Sequence, residues 1–263
     1  MRMIRTEYKE RREMQAPYIQ LKEIGLTYDR DQKDTIRQFS LDIKEGEFIS
    51  IVGKSGCGKT SLLQMIAGMQ KPTTGMISIG GHEVNEPVDE LSYVFQKPIL
   101  LEWRTILENV LLPLQLKRKL TEKDMNKAKE MLDRVGLTDA IHKFPYECSG
   151  GMQSRVAIVR ALLDKPRFLL MDEPFSALDS FTRDQLHVQL NELIDMYKPT
   201  VLFVTHDLQE AFFLSDRIIL LGGEPGGILQ EYQVPFTRPR QKSILFDPSF
   251  FNFQQDMNER LQS

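Results

Sequence analysis

Gly53-Lys54-Ser55-Gly56-Cys57-Gly58-Lys59-Thr60 constrains this chain more than any other stretch. An apolar β-type run, Phe48-Ile49-Ser50-Ile51-Val52, leads into it, and a helix-type run, Ser61-Leu62-Leu63-Gln64-Met65-Ile66-Ala67, leads out. Strand, glycine-rich loop, Lys-Thr and helix, in that order, make the setting that a phosphate-binding loop needs. The glycines let the backbone curl until several N–H groups point at one anion. The helix N-terminus adds its partial positive charge. Lys59 is placed to reach β- and γ-phosphates, and the Thr60 hydroxyl is a ligand for Mg²⁺.

The bulk numbers exclude some classes of function. At 263 residues the chain buries a large core, as one domain or one domain with a subdomain. A net charge of −3 argues against a general nucleic-acid-binding surface. No apolar run reaches the roughly 18 residues of a membrane span. The longest, Val201–Val204 and Ile218–Leu221, have the length of buried strands. The N-terminus lacks the apolar core of a secretory signal. There are two cysteines, and Cys57 lies inside the phosphate loop, which points to a reducing compartment. These features together lead us to expect a cytoplasmic protein.

Along the chain, residues 1–16 carry dense mixed charge and read as a solvated, partly helical extension. Short alternating segments from Tyr18 to about Ile43, and Met76–Gly81, read as strands of a small sheet, and Tyr93-Val94-Phe95 as a short buried strand. Between about 97 and 164 the apolar residues fall at helical spacing, over Thr105–Leu116 and Thr121–Val135 for example, which indicates a helical insertion. Strand-like runs then recur at Phe168–Met171, Val201–Thr205 and Ile218–Leu221, with a helix over Ser180–Met196 between the first two. Strands alternating with helices predict an α/β fold with a parallel sheet covered on both faces. The expected division is an extension over 1–16, a nucleotide-binding domain over 17–236, and a tail over 237–263 whose aromatic cluster packs on the domain or on a partner.

Two further constellations carry chemistry. Phe168–Met171 is a buried strand that delivers Asp172 and Glu173 at its C-terminal end, where open α/β sheets bind ligands. Asp172 suits Mg²⁺ and Glu173 suits the role of general base toward water. Cys148-Ser149-Gly150-Gly151-Met152-Gln153 is a second glycine-bearing turn opening a helix, and so a second anion site. One nucleotide on Gly53–Thr60 does not account for both turns in a single chain. A head-to-tail dimer that sandwiches each nucleotide between the two kinds of loop accounts for both.

With these residues in place, the chain resembles the nucleotide-binding subunit of an ATP-binding-cassette (ABC) transporter over about residues 18–235. Its Walker A motif is Gly53–Thr60, its signature Ser149–Gln153 and its Walker B Phe168–Glu173. Gln96 resembles the Q-loop glutamine, Ser176-Ala177-Leu178-Asp179 the D-loop, His206 the switch histidine, and Tyr28 the aromatic that stacks on adenine. The resemblance implies a P-loop ABC-type domain with a parallel core sheet, an antiparallel β subdomain and a helical subdomain. It assigns nucleotide contacts to Tyr28, Gly53, Lys54, Ser55, Gly56, Cys57, Gly58, Lys59, Thr60, Ser61, Ser149, Gly150, Gly151, Gln153 and Asp179. It assigns Mg²⁺ to Thr60, Gln96 and Asp172, and catalysis to Glu173, His206, Gln96 and Lys59. ATP and Mg²⁺ are the implied cofactors. Two positions depart from the family pattern: Cys148 stands where Leu is usual and Ser154 where Gln or Arg is commoner.

The interval between Thr60 and Ser149 is too short for the coiled coil of chromosome-maintenance relatives, and there is one cassette rather than the two of translation-factor relatives. Lys97–Val110, with Trp103-x-Thr105-x-x-x-Asn109-Val110, resembles the nitrate, sulfonate and taurine importer ATPases, as do Gly222–Ile228 and the Arg-Pro-Arg of 238–240. Glu102 replaces that group's usual Pro. Relatives in this group also serve thiamin precursors. The implied partners are a second nucleotide-binding subunit, an integral membrane permease and, indirectly, an extracytoplasmic solute-binding protein, with the chain on the cytoplasmic face of the membrane. An apolar groove around Leu100, Leu101, Trp103 and Ile106 is expected to receive the permease. The alternatives are a soluble, non-transport ABC ATPase of regulation or complex assembly, and a small-molecule kinase, which leaves Ser149-Gly150-Gly151 unexplained.

Overall fold

Alternate side chains of the central strands part to opposite faces of one sheet, and that division organises the molecule. A computed structural model describes residues 17–28, 33–238 and 240–262. The extension expected over 1–16 lies outside the described residues. Strands β1 (Ile19–Thr27), β2 (Asp34–Ile43), β4 (Thr74–Ile79) and β5 (His82–Glu83) form an antiparallel sheet in the order β2-β1-β4-β5. Strands β3 (Phe48–Gly53), β6 (Leu91–Val94), β7 (Phe168–Asp172), β8 (Thr200–Thr205), β9 (Arg217–Gly222) and β10 (Gly227–Gln233) form the second, in the order β10-β9-β3-β8-β7-β6. Its neighbours pair in parallel from β9 to β6, and β10 adds an antiparallel edge.

Ile49, Ile51, Phe168, Leu170, Leu202, Val204, Ile219 and Leu221 face a core shared with the antiparallel sheet and with helix α1 (Lys59–Ile66). Phe48, Leu169, Met171, Val201 and Phe203 face the other way, toward helices α2 (Ile106–Lys117), α3 (Glu122–Arg134), α4 (Gly150–Leu163) and α5 (Ser180–Tyr197). β7 is buried at every position, as a strand covered on both faces must be. Removing such a side chain, Leu170→Ala for instance, costs about 2–5 kcal/mol.

A third cluster joins Val52, Ile218 and Leu220 to helix α6 (Leu208–Leu214) and helix α7 (Pro248–Gln262), through Phe212, Phe250 and Met257. The tail thus packs on its own chain, with Phe212 and Phe253 centroids 4.9 Å apart. Two sequence expectations change. The strand expected at 93–95 is the edge strand β6, Leu91–Val94, in which Val94 is buried and Leu91 and Tyr93 only partly so, and Phe95, just past its end, is exposed. Leu100 and Ile106 belong to the helical core, while Trp103 stands 74% exposed.

Candidate nucleotide site

The loop between β3 and α1 turns at Gly56 (φ 85°) and Gly58 (φ 93°), in the left-handed region where a side chain is strained. A Cβ at Gly58 would also stand 2.7 Å from Ile36. Gly58 is the N-cap of α1, so no side chain caps that helix, and no acid sits in its first turn. Its N–H groups and dipole therefore face the loop unneutralised. Buried Lys59 donates from Nζ to the carbonyls of Gly53 (2.8 Å) and Lys54 (2.9 Å) and lies 3.8 Å from Glu173 Oε1.

Asp172 closes β7 and is buried. Burial pushes its carboxyl pKa up; the hydrogen bond with Thr60 opposes this, and the neighbouring Glu173 charge adds to the rise. Tyr93 donates its hydroxyl to Asp172 Oδ2 at 3.4 Å, and its own pKa is pushed well up by burial and then by that carboxylate. Glu173 adopts φ 44°, a left-handed conformation that costs a non-glycine residue of order 1–3 kcal/mol. Its N–H is spent on the Val204 carbonyl at 2.9 Å. Its carboxylate spans Lys59 on one side and His206 Nδ1, 3.1 Å away, on the other.

Thr35, Ser55, Gly56, Gly58, Lys59, Thr60, Ser61, Gln96, Asp172, Glu173 and Tyr28 line one cleft of about 430 Å³. Lys54 and Cys57 line an adjoining cleft that shares Tyr28, Ser55 and Gly56. Gly53 is hemmed in: a Cβ there would meet the Leu221 carbonyl at 2.4 Å. Tyr28 presents a 43% exposed ring at the cleft, with its hydroxyl 3.0 Å from Ser61 Oγ and donating to Gln70 at 3.3 Å, whereas Phe39 is wholly core. Gln96 donates to Ser176 Oγ at 3.3 Å, and Ser176 donates to the Glu173 carbonyl at 3.0 Å. The donor set of Thr60, Gln96 and Asp172 is all oxygen, which fits Mg²⁺ taking its other ligands from phosphate and water. No cluster of three or more His, Cys, Asp or Glu suited to a metal occurs among the described residues.

Ser149, Gly150, Gly151 and Gln153 lie outside this cleft. Ser149 is the N-cap of α4 and accepts from the Met152 N–H at 3.3 Å. Gln153 spends its amide on the carbonyls of Pro145 (2.9 Å) and Cys148 (3.2 Å), which braces the turn. A Cβ at Gly151 would come 2.6 Å from Thr182 Cγ2, so the turn packs directly on the start of α5. There Asp179 caps the helix by accepting from Thr182 N–H at 3.0 Å. Burial raises the Cys57 and Cys148 thiols, which keeps both out of the reactive thiolate form.

The contacts of Tyr93 with Asp172, of Ser176 with Glu173 and of Gln70 with Tyr28 were not legible in the sequence, nor was a polar group of Arg183, His187 and Glu210. The one signal for the last was Asp207-x-x-Glu210 after a strand, the pattern of a helix start. Asp207 does cap α6, accepting from Gln209 and Glu210 N–H at 2.8 and 3.3 Å.

Known proteins are similar to this chain. The model of the ABC transporter family matches residues 36–176. The bicarbonate transport ATP-binding protein CmpD of Synechocystis is 41% identical, over 82% of this chain and 78% of its own. The nitrate import ATP-binding protein NrtD of Synechococcus elongatus is 39% identical, over 82% and 80%. The taurine import ATP-binding protein TauB of Jannaschia is 43% identical, over 77% and 75%. Among solved structures, the ATP-binding cassette MJ0796, a dimer in a post-hydrolysis state bound to ADP and Pi, superposes with a TM-score of 0.73 at 35% identity, covering 83% of this chain and all of that one.

Proposed function

The chain belongs to the ABC transporter family and hydrolyses ATP, and from that premise we propose that it is the ATP-binding subunit of an importer for a small solute. The solutes named for its relatives (bicarbonate, nitrate and taurine) make a small solute bearing an oxyanion group the class we favour. No helix among the described residues is long and apolar enough to cross a membrane, so the path for solute would belong to a separate permease.

One observation supports a two-chain engine above others: none of Ser149, Gly150 and Gly151 lines the cleft that Lys59, Thr60 and Glu173 share. In the proposed cycle each Ser149 turn grips the γ-phosphate held by the other copy. ATP binds the closed pair better than the open one and so shifts the equilibrium toward closure. Glu173 directs water in line at the γ-phosphate, while Lys59 and His206 stabilise the charge that develops there. Thr60, Asp172 and Gln96 would hold Mg²⁺, which supplies neutralisation of phosphate charge. Loss of the γ-phosphate removes the bridge, and the pair opens.

On this reading the permease would dock at the loop carrying Ile99 and Trp103, both exposed. Asn109, fully buried, holds that loop: its Oδ1 accepts from Leu101 N–H at 2.8 Å and its Nδ2 donates to the carbonyls of Leu101, Arg104 and Thr105, each at 3.1 Å. Arg160 donates to the Ile99 carbonyl at 2.6 Å. A rigid loop presenting a large bare aromatic suits a docking anchor on the cytoplasmic face of the membrane.

Glu173→Gln with saturating Mg-ATP is expected to elute as a dimer on size exclusion, and adding Ser149→Arg to return it to monomer. Dimer formation that ignores Ser149→Arg would refute the shared-site reading.

A further inference from the structure

We propose that Arg183 is a positioning residue that ties the loop after the Walker B strand to the switch loop and thereby sets His206. The inference rests on reading His206 as a γ-phosphate contact. Arg183 lies in the first turn of α5, and its planar fork reaches in two directions. Nη2 donates to the Leu178 carbonyl at 3.0 Å, immediately before Asp179. Nη1 donates to Asp207 Oδ2 at 3.2 Å, immediately after His206. Asp207 divides its carboxylate: Oδ1 is consumed as the cap of α6, which leaves Oδ2 for the guanidinium.

The residue before His206 is fixed by the same group. Thr205 Oγ1 accepts from Asp207 N–H at 3.0 Å and donates to Glu210 Oε2 at 2.5 Å. Glu210 is buried, lies 4.0 Å from Arg183 Nε, and has its Oε1 3.3 Å from His187 Nε2. His187 in turn packs edge-on against Phe175, two residues past Glu173, at 5.0 Å between centroids. Every side chain that holds Thr205 or Asp207 therefore leads back to α5 or to the loop after β7. The neighbour of Arg183, Thr182, carries the contact with Gly151 of the signature turn. One helical turn thus touches the grip offered to a second copy and, through Asp207, the residue next to the histidine that serves this copy's own nucleotide.

The Arg183–Asp207 pair is partly buried, its side chains 29% and 27% exposed, and Arg183 Nε lies 4.0 Å from the buried Glu210 carboxylate, so a merely structural role predicts losses of turnover that track the loss of stability. The proposal predicts an effect on turnover out of proportion to that.

The test is steady-state Mg-ATP hydrolysis by the full chain, with thermal melting in parallel, for Arg183→Met, Asp207→Asn and their double variant. Asn keeps the cap of α6 and loses the charge. Each single variant is expected to lose about tenfold in kcat through misplacement of His206. KM for ATP should stay within about twofold, because the cleft itself is untouched. Asp207→Asn, which leaves Arg183 beside Glu210, should melt within about 3 °C of the parent, the scale of a 1 kcal/mol change in a chain this size, and so carries the test even where Arg183→Met melts lower. The double variant should lose no more than either single one, the non-additivity of a shared interaction. Arg183→Lys should not recover turnover, since one ammonium does not span Leu178 and Asp207. Full turnover in Arg183→Met, full rescue by Lys, additive losses, or losses that follow the melting temperature would each overturn the proposal. His206→Ala separates the two layers. Unchanged turnover there defeats the reading of His206 itself, and a collapse there beside a normal Arg183→Met defeats this inference alone.

Discussion

Helices α2 and α3 begin very differently from α1 and α4, and the difference separates scaffold from site. α2 opens with a capping box in which Thr105 and Glu108 satisfy each other's backbone, and α3 does the same with Thr121 and Asp124. Each thereby neutralises its own N-terminal charge with an acid in the first turn. α1 and α4 carry no acid there; α1 has glycine at its cap and α4 has only the Ser149 hydroxyl. A helix that keeps its N-terminus bare forgoes up to about 1 kcal/mol of self-stabilisation and keeps that field for an external anion.

The largest effect that would break the comparison is at α1. Lys59→Met should reduce ATP turnover more than about 100-fold, through loss of charge stabilisation at the transferring phosphate. An ATPase assay within tenfold of the parent would show that α1 does not hold the reacting group. Next comes α4. Gly150 has open space at its Cβ, so Gly150→Asp adds a carboxylate to the bare first turn without a clash. Turnover should fall about tenfold, the scale of one misplaced charge at a helix terminus. Nucleotide affinity of the isolated subunit, read by equilibrium titration, should hold steady. The reciprocal change at α2, Thr105→Ala, should cost about 1 kcal/mol of stability in denaturant melts and leave turnover alone.

Acid sharpens the same contrast. Backbone and hydroxyl hydrogen bonds from Thr105 hold the Glu108 carboxyl below its ordinary value, and the Arg118 guanidinium with Thr121 holds Asp124 lower still. Groups with depressed pKa contribute stability that is complete above the unfolded carboxyl range and is lost as pH falls through the folded value. Amide exchange at the starts of α2 and α3 should therefore quicken as pH drops below about 4, relative to the intrinsic rate. The starts of α1 and α4, having no such acid, should show no matching step. The smallest effect concerns stability at the exposed loop: Trp103→Ala should alter unfolding free energy by no more than about 0.5 kcal/mol. Its effect should appear only in hydrolysis coupled to transport.

Much of this contrast could be read from sequence. The phosphate loop, the strand delivering Asp172 and Glu173, and the turn at Ser149 each depend on local residue order, which sequence records directly. The covering of the central sheet on both faces followed from strands alternating with helices and from the uninterrupted apolar runs of those strands. What depended on tertiary placement was harder to see. The left-handed Glu173 has no local cause in a glycine, and its N–H is taken by Val204, a residue from another strand. Nothing local marks Arg183, because its partners come from 178, 207 and 210. Leu100 and Ile106 were grouped with Trp103 by proximity in the chain, yet the fold turns them inward and leaves the indole outside.

The amide of Asn109 gives the exposed loop a mechanical character. With both ends of its side chain committed to backbone from 101 to 105, that segment and α2 form one stiff casting. A push delivered at the indole would travel into the body as displacement, in the manner of a pushrod, where a floppy tether would have absorbed it. Asn109→Leu would loosen the rod at its root while leaving the indole in place.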